Sequence, residues 1–99
     1  MAREVIFHRL VQRDMTSIQR YYRDEASDEV ADRFYFAFLD LVEKALERPQ
    51  RFHPLHSDLR RANISGFPYH FLYRETSFGI RVLVLRHDKR HPSFGLSRK

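Results

Sequence analysis

From Val11 onward the apolar residues of this chain change their spacing once, at Pro49, and that change restricts the folds open to it. Before Pro49 they recur every three or four residues, the repeat of a helix with one buried face; after it they alternate or run together, as in strands. Val11, Met15, Ile18 and Tyr22 define a first helix that runs to about Glu25. Ser27 then restarts the pattern as an N-cap, with Asp28 and Glu29 placed to complement the dipole of a second helix. That helix carries the stripe Val30, Phe34, Ala37, Phe38, Leu41, Val42, Ala45 and Leu46 and stops at Pro49. Two amphipathic helices broken only at Ala26 and Ser27 must fold back as an antiparallel hairpin. Ahead of them, Glu4 to His8 alternates as a short strand.

Beyond Pro49 the segment Gln50 to Ser57, interrupted by Pro54, is expected to be a loop. Strands are expected over Asp58 to Ile64, Phe67 to Glu75 and Phe78 to His87, with Ser65-Gly66 and Thr76-Ser77 as the turns of an antiparallel meander. The run Ile80 to Leu85, apolar except at Arg81, requires an interior strand covered on both faces. The order of elements predicts an α+β domain spanning residues 1–99. In it an N-terminal strand joins a small, mainly antiparallel sheet, and the helical hairpin packs on one face. The other face is expected to be open, and residues 88–99 irregular.

Composition removes several chemistries. Without cysteine there is no thiolate nucleophile, Cys-based zinc site or disulfide. No apolar run approaches the ~20 residues of a membrane span, and no secretory signal is legible, so a cytoplasmic protein with no membrane partner is expected. Charge is unevenly divided. Residues 1–50 hold 8 basic and 10 acidic side chains, whereas residues 51–99 hold 10 basic and 3 acidic, a net +7. Arginine outnumbers lysine 15 to 3. The planar guanidinium fork suits phosphate and carboxylate, so this half points to anionic partners.

Strict alternation in the last strand would set Ile80, Val82 and Val84 against the helices and turn Arg81, Leu83, Leu85 and His87 to the open face. One of Arg60 and Arg61, being adjacent, would join them there. Two arginines and a histidine on one surface suit a phosphodiester: histidine for proton transfer, arginine for charge gained in the transition state. The competing reading is structural, with Arg81 in an ion pair and His87 simply ending a strand. Tyr69, Phe71 and Tyr73 share one face, as a base-stacking platform or, more plainly, as core. His87 and His91 have helical metal-ligand spacing, but Pro92 opposes a helix there, so no metal is expected. His53 and His56 flank Pro54 and are expected only to cap or pack. No phosphate-cradling glycine loop or other cofactor motif is present, and no cofactor is expected.

Several segments taken in order resemble one family. They are Asp14, Met15, Ile18 and Tyr22; Ala31, Phe34, Phe38, Leu46 and Pro49; Leu59-Arg60-Arg61; Phe67 to Arg74; and Arg81 to His87 followed by Arg90. Over nearly its whole length the chain resembles the RelE/ParE superfamily of type II toxin–antitoxin toxins. The branch it is most similar to is ParE-like, also labelled plasmid stabilisation, through Phe67-Pro68-Tyr69 and the His87 to Arg90 segment. The resemblance implies a growth-inhibiting toxin silenced by a cognate acidic antitoxin, with self-association into a homodimer as a further option.

Two targets follow from the resemblance. A ParE-like toxin inhibits DNA gyrase and needs no hydrolytic site. A RelE-like toxin is a metal-independent endoribonuclease that cuts mRNA on the ribosome, and it would use Arg61, Arg81 and His87 as catalytic residues. The chain has no tyrosine after Tyr73, which departs from the RelE pattern and favours the gyrase reading. Arg60, Arg86, Lys89, Arg90 and His91 are the expected contacts to target or nucleic acid. A non-toxic basic binding module of the same fold is the alternative from a different class.

Overall fold

The computed structural model describes residues 3–99 and contains β1 (Glu4–Phe7), α1 (Val11–Glu25), α2 (Asp28–Glu47), β2 (His53–His56), β3 (Leu59–Asn63), β4 (Tyr69–Glu75) and β5 (Gly79–His87). One mixed five-stranded sheet has the order β1-β5-β4-β3-β2; β1 runs parallel to β5, and every other pair is antiparallel. The helical hairpin covers one face, as the change of period requires. Its cap is where the sequence puts it: the Val30 N–H donates to Ser27 Oγ at 3.2 Å.

The helix-side core is built from rings. Phe34 packs edge-on to Phe67 and Tyr69 at 5.1 and 5.2 Å, and Phe38 to Phe71 at 5.4 Å. Tyr69, Phe71 and Tyr73 are therefore core side chains, and stacking a base on them is excluded by burial. Burial also pushes the Tyr73 phenol up to about 12, and its hydroxyl donates to the Pro49 carbonyl at 2.6 Å.

The expected loop after Pro49 is instead a single 3₁₀ turn, Pro49–Arg51, followed by the edge strand β2. Pro54 hides this strand from sequence patterning, because a proline cannot donate to a ladder; an edge strand needs only one side paired and so tolerates it. Arg60 fastens the turn to the sheet by donating to the Phe52 carbonyl at 2.7 Å. At the opposite edge, Gly79 lets β1 close on β5. A Cβ there would sit 2.0 Å from the Glu4 carbonyl oxygen, on a backbone at φ +150°.

Candidate functional site

The basic half of the chain converges on β5 and residues 88–99, and its geometry turns on one extra residue. Tyr73 pairs with Val82 while Leu72 pairs with Val84, so Leu83 is a β-bulge without a partner on β4. A bulge reverses the inside–outside parity of everything beyond it. Val84, expected under the helices, faces away from them, and Leu85 joins the helix-side core instead. Arg81 stands opposite Arg74 on the face away from the helices, whereas His87 stands opposite Tyr69 on the helix side, their rings 5.0 Å apart. Strict alternation put Arg81 and His87 together; the bulge separates them.

Beside the bulge, the outer edge of β5 is satisfied by side chains and not by a strand. β1 stops beside Val82, whose carbonyl accepts from the His8 N–H at 2.8 Å, so β5 runs on with its outer backbone groups unpaired. Asp14 and Arg98 take the place of a strand. Asp14 Oδ2 accepts from the Leu85 N–H at 3.1 Å, and Arg98 donates to the Leu83 carbonyl at 3.0 Å. The two side chains also pair bidentately, at 2.7 and 3.1 Å, and both are nearly buried.

The face away from the helices is not open at its β4–β5 centre. Residues 88–99 lie across it, which is why Leu72, Leu83, Val84 and Arg86 are all buried. Arg86 holds the segment by donating to the Pro92 and Phe94 carbonyls, both at 2.8 Å, and Arg81 donates to the Lys99 carbonyl at 2.8 Å. Gly95 passes so close to β5 that a Cβ would meet Val84 at 2.6 Å, with φ at +83°.

Beneath this strap lies a polar chain. Arg86 Nε donates to His70 Nε2 at 2.9 Å, and His70 Nδ1 lies 2.8 Å from Asp88 Oδ1. Because arginine can only donate, Nε2 must be the acceptor and Nδ1 the protonated nitrogen. The ring is therefore neutral, in keeping with a pKa lowered chiefly by burial, against the raising effect of the hydrogen bond that Nδ1–H donates to Asp88. The Arg86 pKa is also lowered, first by burial and then by Arg61.

Arg61 resolves the Arg60/Arg61 ambiguity. It is the member on the strap side, 3.4 Å from Asp88 and bonded to Asn63 Oδ1 at 2.8 Å, while Arg60 is turned to the helix side. Of the predicted site residues, Arg61, Arg81 and Arg86 thus share the strap face and are engaged by the protein itself. Lys89, Arg90 and His91 are exposed on the strap, with Arg90 stacked 4.1 Å over Phe94. His87 keeps only Nε2 free, since its Nδ1 accepts from the Lys89 N–H at 3.0 Å.

Four structural residues escaped sequence reasoning. His70 carried a signal, an imidazole opposite the ring face of an apolar strand, which marks that second face as a place where polar groups are satisfied. Asp88, Asp14 and Arg98 carried none, because their partners are distant in sequence. Among the described residues, no group of three or more His, Asp or Glu side chains could hold a metal ion, and no helix is long and apolar enough to cross a membrane.

This architecture and sequence have relatives. A family model described as the ParE toxin of type II toxin–antitoxin system, parDE, matches residues 5–92. Toxin ParE2 from two strains of Mycobacterium tuberculosis is 34% identical over 94 residues, covering 94% of this chain and 89% of the relative. A solved structure titled as the chromosomal ParDE TA system from P. aeruginosa superposes with a TM-score of 0.76 at 15% identity, covering 86% of this chain and 95% of the other. At that identity the structural likeness speaks for the fold, whereas the family model and the mycobacterial relatives cover most of the sequence itself. The chain belongs to the ParE toxin family of type II toxin–antitoxin systems.

Proposed function

We propose that this ParE-family toxin arrests growth by binding DNA gyrase in the cytoplasm, and that it does so without cutting RNA. The observation that carries the reading is the separation of Arg81 from His87 by the Leu83 bulge. A nuclease built on Arg61, Arg81 and His87 needs all three around one phosphodiester, within hydrogen-bonding reach. Here the arginines are spent on Asp88 and a backbone carbonyl, and the histidine lies on the other side of the sheet. Lys89, Arg90 and His91 remain as the exposed cations for target contact.

The antitoxin reading rests on a different surface. Phe7, Val11, Met15, Tyr35, Phe38 and Leu39 line an apolar groove of about 250 Å³ between β1 and the hairpin. The groove suits the apolar face of an amphipathic segment, and the net +5 chain suits an acidic one. A homodimer using the same groove would compete with the antitoxin. Purified protein added in parallel to a supercoiling assay and a translating-ribosome cleavage assay tests the target. Inhibited supercoiling with intact mRNA is expected; cut mRNA with normal supercoiling would overturn the proposal.

A further inference from the structure

A second concavity, unrelated to the apolar groove, opens between α1 and the end of β5. Its volume is about 390 Å³, within the range of about 300–1,000 Å³ typical of small-molecule sites. Helix α1 contributes Arg13, Ser17 and Tyr21 at helical spacing; β4, β5 and the strap contribute Tyr69, His87 and Arg90. Ile18, Leu85 and the Phe94 ring complete an apolar floor.

Of the polar groups around this floor, Arg86 is engaged by His70 and the strap carbonyls and His87 by the Lys89 N–H, whereas the side chains of Arg13, Ser17, Tyr21 and Arg90 have no hydrogen-bond or ion-pair partner among the described residues. Arg13 makes no ion pair, and Arg90, fixed by its stacking on Phe94, has its donor edge free. The one acid in the lining, Asp14, is already neutralised by its bidentate bond to Arg98. Tyr21 is 55% exposed at the rim, with its ring held edge-on against Tyr22 at 5.5 Å.

We propose that this pocket binds a nucleoside phosphate, with the phosphate between Arg13 and Arg90 and the base against Tyr21. A carboxylate would satisfy either guanidinium equally well. What favours a nucleotide is the combination of two uncommitted forks with an exposed aromatic face above an apolar floor, because stacking and phosphate pairing are the two interactions a nucleotide offers together. The His87 imidazole, with Nε2 free, supplies a further donor at the same mouth. The ligand can be a free nucleotide or one unit of a strand, and only Arg90 is shared with the cations proposed for target contact.

The test uses the full chain, with adenosine monophosphate as one probe and labelled ten-nucleotide single-stranded DNA and RNA as the others. Binding is read by anisotropy for the strands and by chemical-shift changes of Tyr21 and His87 for the mononucleotide. Arg13, Tyr21 and Arg90 are exposed, so their alanine variants should fold. Tyr21→Ala is expected to weaken binding by at least about fivefold, the lower bound for losing a stacked base. Arg13→Ala and Arg90→Ala should each cost about tenfold, as lost charge-assisted bonds. Arg51→Ala, at the far end of the sheet, should cost less than about twofold. Shifts with the mononucleotide assign a free ligand, and binding of the strands alone assigns a strand; either supports the site. Equal losses for Arg51→Ala and Arg90→Ala would reduce it to diffuse charge and overturn it. So would an oligoglutamate peptide that binds as tightly as the oligonucleotides.

Discussion

The two faces of the sheet are buried by opposite means. On the helix side, Phe34, Phe38, Phe71 and Tyr69 interlock as rings and need no particular bond to hold them. On the strap side, aliphatic side chains of β5 are sealed under a segment held by directed hydrogen bonds from Arg81, Arg86 and Arg98. The first face is held by area and shape, the second by geometry and charge. They should therefore fail differently: truncation weakens the first in proportion to the hole it leaves, whereas the second fails when a single partner is removed and a charge is stranded.

The largest effect is expected on the ring face. Phe34→Ala removes a fully buried ring that packs against three aromatic neighbours, Tyr22, Phe67 and Tyr69, and should destabilise by about 3–5 kcal/mol in urea or thermal unfolding. A loss below about 1 kcal/mol would mean that the rings are not the stabilising layer.

Next comes the latch at the edge of β5. Asp14→Ala leaves Arg98 buried without its carboxylate and should cost about 3 kcal/mol by the same measurement. The contrast with the ring face sharpens in the double variant. Asp14→Leu combined with Arg98→Met should recover the part of that loss due to the stranded charge but not the part due to the unpaired Leu85 N–H and Leu83 carbonyl, whereas no second truncation rescues Phe34→Ala. If the double variant is no more stable than Asp14→Ala alone, the latch is not an ion pair in the sense argued here.

The smallest effect separates the faces by pH. His70 is held neutral between the Arg86 donor and Asp88, with Arg61 also close, and its folded pKa lies below the ordinary 6.5. The unfolded chain therefore binds the proton more readily, so His70 contributes stability that is full above about pH 6.5 and falls as pH drops toward the folded value. His8, shifted down first by burial and then by Arg98 and Arg81, acts in the same sense. Hydrogen exchange should show Phe94 and Leu96 amides opening faster at pH 5.5 than at pH 7.5, while ring-face amides of β4 hold. His70→Gln, which cannot titrate, should remove most of that difference; an unchanged pH profile in this variant would discard His70 as its source.

Both helices, the Ser27 cap and the interior position of β5 were legible because each follows from neighbours within a few residues: a periodic stripe, a hydroxyl before a helix, an unbroken apolar run. β2 was not, since Pro54 erases the alternation that marks a strand and only the pairing with β3 makes it one. The site was half legible. Arg61, Arg81, Arg86, His87 and Arg90 stand out as arginines and histidines in a basic half, but alternation could not register an extra residue at Leu83 and so put Arg81 and His87 on one surface.

What the sequence determined by itself, then, is everything carried by local periodicity and composition: an α+β chain, a hairpin over a sheet, a basic second half and membership of a toxin family that its motifs already resembled. Tertiary structure alone decided which face each arginine serves. β1 ends four residues along, which leaves β5 with unpaired backbone groups beyond Val82. Asp14, 71 residues before Leu85, and Arg98, 84 residues after Asp14, come together to satisfy them. Contacts between residues so far apart leave no trace in the spacing of their neighbours, yet they hold the strap beside β5, whose parity the Leu83 bulge reverses.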